Sequence, residues 1–330
     1  MPTALVTGAT GLVGSHIVDR LLAGGWRVRA LVRGPAPALA SRRVETVHGD
    51  ALDTDGFVRA AHGCDVIFHT AAAVVTSGGW EAYRRPNVDG TRNAIAAAAQ
   101  SGARLLHLSS VAVYSSRYAD PSRPIDEGAP FGPLPERGYY ARSKRAAEEL
   151  VLEAHASGRI WATAVRPDVI YGTRDRQFVP RIARLLRFGV APIIGGGRSI
   201  MPIVHAANVA DGAVLAAMHD GAGGRTYNLA NDFDVSVRQF LRLAGDGLGR
   251  RIHFVHVPLG VARAVFAVAL GVTKAVAGGR ASVVSGESLS MVTRDNPFTS
   301  ERARRELGWS PQVRPERGIP EAFRWWVENQ

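Results

Sequence analysis

A short apolar run, Ala4-Leu5-Val6-Thr7, feeds Gly8-Ala9-Thr10-Gly11-Leu12-Val13-Gly14 and passes directly into an amphipathic stretch. Turns in many folds use glycine, so three spaced glycines between an apolar strand and a helix are by themselves weak evidence; what they allow is an anion cradle. Gly8 permits a tight turn, Gly11 lets the backbone approach a pyrophosphate, and Gly14 lets the following helix pack close to the strand. The amides of that helix's first turn, with its dipole, then face the negative charge. Thr10, Leu12 and Val13 border the same turn.

The rest of the chain repeats the strand–helix alternation. Short runs rich in valine, leucine and isoleucine recur at Ala4-Thr7, Val28-Val32, Val44-Val47, Val66-Phe68, Leu105-Leu108 and Trp161-Val165. The intervening patterns predict helices over Leu12–Ala23, Trp80–Gln100 and Arg142–Ala156, the second kinked or restarted at Pro86. Such alternation specifies an α/β fold, a Rossmann-type doubly wound parallel sheet covered on both faces. Beyond Gly172 the rhythm changes to helices, glycine-rich loops and few strands. This predicts a dinucleotide-binding domain over residues 1–172, with 203–230 returning to it, and a smaller, mostly helical substrate-binding and cap region over 173–330. The proline-rich stretch Asp120–Gly138 and the triplet Gly195-Gly196-Gly197 read as loops over a site.

Composition narrows the class. At 330 residues, 46% hydrophobic and 21% charged, the chain is an ordinary globular one. Its one cysteine, Cys64, allows neither an intrachain disulfide nor a cysteine zinc site. With no basic leader before Leu5, a reducing, cytoplasmic setting is expected. The longest apolar stretch, Val257–Val272, is broken by Arg263 and is too short to cross a bilayer, so stable membrane insertion is not expected. The formal charge of +11 comes from scattered arginines without an aromatic-interleaved patch, which argues against nucleic acid while favouring anionic cofactors by steering. His253 and His256 lie in an alternating strand pattern that need not converge on a metal, and no metal site is expected.

The chemistry is carried by Tyr140-Ala141-Arg142-Ser143-Lys144, where residues four apart share one helix face. A free tyrosine titrates near 10 and is a poor proton carrier at neutral pH; a neighbouring ammonium favours its phenolate. A second hydroxyl is available from Leu108-Ser109-Ser110-Val111 at a strand end. In isolation a Tyr-x-x-x-Lys pair is as readily a surface helix pair; the glycine turn and the strand-end serine give it a site to serve.

These segments together resemble the extended short-chain dehydrogenase/reductases, the superfamily of NAD-dependent epimerases and dehydratases. The resemblance covers nearly the whole chain. It rests on Thr7 to Gly14, Gly49-Asp50, Phe68-His69-Thr70-Ala71-Ala72, Asn87-Val88-Asp89-Gly90-Thr91, Leu108 to Tyr114, Tyr140 to Lys144 and Arg166-Pro167-Asp168-Val169-Ile170-Tyr171-Gly172. It implies that Tyr140 is the general acid/base, that Lys144 binds the nicotinamide ribose and tunes Tyr140, and that Ser110, rather than Ser109, orients the substrate oxygen. It further implies that Asp50, with Ala51 beside it, meets the adenine, that Ala71 and Ala72 line the dinucleotide, and that Pro167 and Val169 flank the nicotinamide. A homodimer packed through the helix of Tyr140 and Lys144 and the helix around Asn87 is likewise implied.

Cofactor choice turns on the end of the second strand. A carboxylate there accepts ribose hydroxyls and repels a 2'-phosphate, whereas an arginine does the reverse. Val28-Arg29-Ala30-Leu31-Val32-Arg33 ends in arginine, so NADP(H) is expected over NAD(H), with Arg33 on the phosphate. Within the resemblance, the nucleotide-sugar dehydratases carry acidic residues after the catalytic hydroxyl, where this chain has Val111 and Ala112. Met201 stands where a diphosphate-clamping arginine is expected, with Arg198 the nearest substitute. The remaining pattern is closest to the 3β-hydroxysteroid dehydrogenases and dihydroflavonol reductases, including an apolar helix from Val257 and Ser290 to Phe298. Three readings follow. The first is an NADP(H)-dependent enzyme interconverting a ketone and a secondary alcohol on a hydrophobic small molecule. The second is a nucleotide-sugar epimerase or reductase holding NAD tightly. The third is a non-catalytic dinucleotide-binding protein.

Overall fold

The computed structural model describes residues 1–74, 78–115, 123–230, 232–262 and 293–330. In chain order the elements are β1 (Thr3–Thr7), α1 (Leu12–Ala23), β2 (Arg27–Val32), the single turn α2 (Pro37–Ala40), β3 (Glu45–His48), α3 (Thr54–Ala61) and β4 (Val66–His69). Then come α4 (Trp80–Arg84), α5 (Gly90–Ser101), β5 (Arg104–Leu108), α6 (Tyr139–Ala156), β6 (Ala162–Pro167), β7 (Val169–Tyr171), α7 (Phe178–Leu185), β8 (Val190–Ile194) and β9 (Ile203–His205). Last are α8 (Ala206–Met218), β10 (Thr226–Leu229), α9 (Val237–Gly247), β11 (His253–Val257) and helices Glu301–Leu307 and Pro315–Glu328.

Seven strands form one parallel sheet in the order β10-β6-β5-β4-β1-β2-β3. The order reverses at β1 and β4, where connections leave for opposite faces and a crevice opens at the strands' C-terminal ends. Register explains how one face divides between packing and chemistry. Leu5, Ile67, Leu105 and Ala162 align across four strands and are fully buried against α3, α5 and α6. Each such leucine or isoleucine contributes ~1.5–3 kcal/mol of burial. Two residues further along, on the same face, the aligned row is Thr7, His69 and His107. The core thus turns polar one step before the edge that carries the site.

The expected strands are present within a residue or two at each end, the third running over Glu45–His48. The expected helix Trp80–Gln100 is instead α4, a π-helical turn Arg85–Asp89 and α5. Pro86 sits in that wider turn, where its missing N–H breaks no α-helical bond. The helix expected from Arg142 begins three residues earlier, so Tyr140 lies within its first turn.

Two compact units are present. One comprises Met1–Asp168, Ala206–Ala230 and Phe298–Pro311; the other comprises Val169–His205, Asn231–Pro297 and Gln312–Gln330. These bounds differ from the expected ones in three places. Val169–Tyr171 pairs with Ile203–His205 in a separate two-stranded sheet, so neither segment joins the large sheet and the return begins at Ala206. Phe298–Pro311, expected in the cap, belongs to the sheet unit: Phe298 bridges to Ile125, and the Trp309 indole donates to the Asn208 carbonyl at 2.9 Å. The second unit also holds more strand than expected, since β8 and β11 pair in parallel. Its core is built on Tyr171, Phe240, Ile319 and Phe323. Val257 ends β11, and the expected helix begins two residues later at Leu259, after Pro258, with the Ala262 amide donating to the Pro258 carbonyl at 3.0 Å. Most of the expected apolar helix, and Ser290 to Val292, lie outside the described residues, as do Asp120 to Ser122 of the proline-rich loop.

Candidate active site

The glycine turn is a cradle closed by backbone. Gly8 has φ +69°, and a Cβ there would meet the Thr70 hydroxyl at 2.8 Å and the Ala71 amide at 2.9 Å. A Cβ on Gly14 would stand 2.2 Å from the Gly8 carbonyl oxygen. The Gly11 amide donates to that same carbonyl at 2.8 Å, and Gly11 caps α1 without offering a side-chain acceptor. The first-turn amides, those of Leu12 and Val13 among them, are therefore left to an external anion. Thr10 is exposed at the turn and Val13 is buried beneath it. This cradle fits a dinucleotide pyrophosphate.

Thr7 organises the neighbouring loop. Its carbonyl accepts from the Thr70 hydroxyl at 2.6 Å, and its own hydroxyl accepts from the Ala71 amide at 3.3 Å. Ala71 and Ala72 are half-buried along this edge. Asn87 pins the following residue: its carbonyl oxygen accepts from the Ala73 amide at 2.7 Å and its amide donates to the Ser143 hydroxyl at 2.9 Å. It thereby ties the loop after β4 to α6. Asp50 turns the chain after β3 by accepting from the Leu52 amide at 2.9 Å, and the Ala51 carbonyl accepts from Asn93 at 2.8 Å. Arg33 follows β2, is exposed, and makes no ion pair among the described residues. Its guanidinium is available to an anion.

Ser110, Tyr140 and Lys144 come together at the end of β5. Ser110 caps a single 3-10 turn, Val111–Val113, its hydroxyl accepting from the Ala112 amide at 3.2 Å. The same side chain lies near enough to Tyr140 to act on its phenol. Ser109 is buried and its hydroxyl meets no partner among the described residues, so it is Ser110 that reaches the phenol. Burial pushes the Tyr140 phenol above its usual value, the Ser110 hydroxyl pulls it down, and Tyr83 raises it. Lys144 is buried and donates to the Leu108 carbonyl. Burial lowers its ammonium to about 8, with Glu148 acting in the opposite sense. Below it, the Thr7 hydroxyl and His69 Nδ1 are 2.9 Å apart, and His69 stacks on His107 with ring centroids 5.9 Å apart. Burial and the Lys144 charge hold His69 at about 3 and His107 well below the usual imidazole value, so both rings are neutral at working pH. Pro167 ends β6 in the sheet unit, whereas Val169 starts β7 in the second unit.

In the second unit Met201 is buried in the apolar core, its amide donating to the Val235 carbonyl at 2.8 Å. Arg198 is exposed after the glycine turn Gly195–Gly197. No group of three or more histidines, cysteines or acids is placed to hold a metal among the described residues, and none of their helices is long and apolar enough to cross a membrane.

Sequence reasoning passed over Glu148, Arg166 and Tyr114 as functional residues. Glu148 had a signal, standing four residues after Lys144 on the same helix face. A second signal was composition: of 40 basic residues only Lys144 and Lys274 are lysines. A lysine retained in so arginine-rich a chain marks a place where a compact, titratable charge is needed.

Residues 4–230 match the model of the NAD dependent epimerase/dehydratase family. Among curated proteins the chain is 31% identical to the 4-hydroxy-2-methyl-3-oxo-4-farnesyl-3,4-dihydroquinoline-1-oxide ketoreductase of Stigmatella aurantiaca, over 95% of this chain and 93% of that one. It is 28% identical to a 3-beta-hydroxysteroid dehydrogenase of Mycolicibacterium neoaurum, over 98% and 91%. Among solved structures the crystal structure of gox2253 superposes with a TM-score of 0.77 at 28% identity, covering 100% of this chain and 99% of that one.

Proposed function

Because the chain belongs to the NAD dependent epimerase/dehydratase family, we propose that it is an NADP(H)-dependent oxidoreductase that interconverts a ketone and a secondary alcohol on a hydrophobic small molecule. The observation that carries this reading is the Ser110–Tyr140 hydroxyl pair with Lys144 one turn further along α6. Two hydroxyls on adjoining elements can both hydrogen-bond a single carbonyl oxygen, fixing and polarising it. The similarity to a ketoreductase and a hydroxysteroid dehydrogenase supports the apolar substrate. So does the replacement of two features of nucleotide-sugar enzymes: Val111 and Ala112 where dehydratases carry acids, and Met201, a core residue, where a diphosphate clamp would stand.

The glycine cradle and α1 would hold the pyrophosphate, Asp50 and Ala51 the adenine side, Arg33 the 2'-phosphate, Lys144 the nicotinamide ribose, and Pro167 the ring. Bound NADPH supplies the hydride. In the reductive direction Ser110 orients the carbonyl oxygen and Tyr140 gives it a proton as negative charge develops. Burial suits Tyr140 to this task, since a raised value keeps the phenol protonated at neutral pH. In the oxidative direction the same oxygen must accept a proton. The Lys144 ammonium and the positive oxidised ring both favour the phenolate then.

Tyr140→Phe removes only the proton carrier. It is expected to lower turnover by ~10²–10⁴ while leaving the NADPH dissociation constant within about threefold of wild type. Turnover of hydrophobic ketones by this variant at wild-type rates would refute the reading.

A further inference from the structure

A single buried guanidinium joins the elements that carry Ser110 and Tyr140. Arg166, the last residue of β6 before Pro167, is 3% exposed, and its partner Glu148 is 1% exposed. Arg166 Nε and Nη2 donate to the two Glu148 oxygens at 2.9 and 2.5 Å, and Nη1 donates to the Tyr114 hydroxyl at 2.5 Å. The guanidinium carbon lies 5.0 Å from the ring centroids of both Tyr114 and Phe131. Tyr114 ends the turn that Ser110 begins, and its hydroxyl stands 3.0 Å from the Asp126 carbonyl and 3.1 Å from the Asn228 amide oxygen. Glu148 follows Lys144 by four residues and Tyr140 by eight, on the same face of α6.

We propose that Glu148 is a positioning residue of this site: its two-point grip on Arg166 sets the rotation of α6, and so the aim of Tyr140 and Lys144, and the same carboxylate is the counter-charge one helix turn from Lys144. The proposal rests on the functional reading above and deepens it. A planar fork gripped at both oxygens resists rotation of the helix in a way a single hydrogen bond does not. The charged and titratable groups facing Lys144 are His69 from β4, His107 from β5, and Tyr140 and Glu148 from α6. Those facing Glu148 are Arg166 from β6 and Arg145 from α6. With both histidines neutral, Glu148 is the only one of these that stabilises the Lys144 charge.

Because the full chain holds only two lysines, lysine labelled at Cε gives two carbon resonances by NMR, and Lys274→Arg assigns them. The titration of Lys144 can then be read without any substrate. Glu148→Gln keeps the shape and removes the charge, and is expected to lower the Lys144 midpoint by about one pH unit. Glu148→Asp keeps the charge but shortens the reach. It should leave that midpoint within about 0.3 units while lowering kcat at least ~10-fold for any ketone the wild type reduces. Should Glu148→Gln fail to fold, Glu148→Gln/Arg166→Met removes both buried charges together and is expected to recover the thermal midpoint but not the Lys144 titration. A Lys144 midpoint unmoved in a folded Glu148→Gln protein overturns the proposal. Failure of the functional reading would show separately, as activity retained by Tyr140→Phe.

Discussion

The two halves of the sheet edge prepare their ground by opposite means. At β1 and β2 the site is made by what is missing: Gly8 and Gly14 have no side chain, and the space a Cβ would fill is occupied by the Gly8 carbonyl and the Ala71 amide. At β5 and β6 it is made by side chains packed to completeness, with Lys144, Glu148, Arg166 and Tyr114 all buried among one another's partners. A backbone cradle suits a ligand part common to every turnover. Proton transfer needs groups whose charge is set by their surroundings, and surroundings can be shaped only by burying neighbours.

The contrast can be broken at either half. Gly14→Ala is the harshest test of the cradle, because the added carbon falls 2.2 Å from backbone that cannot rotate away. It should cost ~1–3 kcal/mol of stability and raise the NADPH dissociation constant at least ~10-fold, as read by cofactor fluorescence. Unchanged cofactor binding would mean that the turn is not the anion site. A smaller and more selective effect is expected at Arg33, which is exposed and unpaired among the described residues. Arg33→Asp should raise the KM for NADPH ~10–100-fold, the worth of one charge-assisted contact, and leave NADH nearly unaffected. An equal effect on both cofactors would remove the case for NADP(H).

A third effect is on pH-dependent stability and belongs to the polar row beneath Lys144. His69 stays neutral down to about 3, and His107 also stays neutral well below the usual value, whereas unfolded histidines protonate near 6.5. The unfolded state therefore binds more protons than the native one below that point, and stability falls as pH drops from 6.5 towards 3. From pH 7 to pH 5 the His69 ring should cost about 2 kcal/mol of unfolding free energy in urea titrations, and His107 should add to the loss in the same sense. His107→Asn should reduce that loss. An undiminished loss in the variant would show that the buried ring is not its source.

The fold was largely legible before any coordinates. Strand periodicity and the glycine turn are local signals, and they located β1, α1, β2, β4, β5 and α6 to within a few residues. The boundary near residue 170 was legible only approximately, because Val169–Tyr171 looks like any short apolar strand until its partner Ile203–His205 is known. Phe298–Pro311, expected in the cap, groups with the sheet unit for the same reason: its contacts, Ile125 and Asn208, lie about 100 residues or more away along the chain. Pro86 announced an interruption, but a π-helical turn rather than a break is a matter of how α4 and α5 pack.

The residues of the site divide along the same line. Tyr140 and Lys144 lie four apart on one helix, and Gly8, Gly11 and Gly14 belong to one turn, so spacing alone brought each set together in the sequence. Whether Ser109 or Ser110 meets the phenol depends on a single residue of backbone phase after β5, and the 3-10 turn decides it. That Arg166 pairs with Glu148 rather than with any of the chain's other acids is beyond a one-dimensional pattern. The strength of a buried charge pair comes from its exclusion from water, and exclusion exists only once β6, α6 and the loop carrying Phe131 have closed around it.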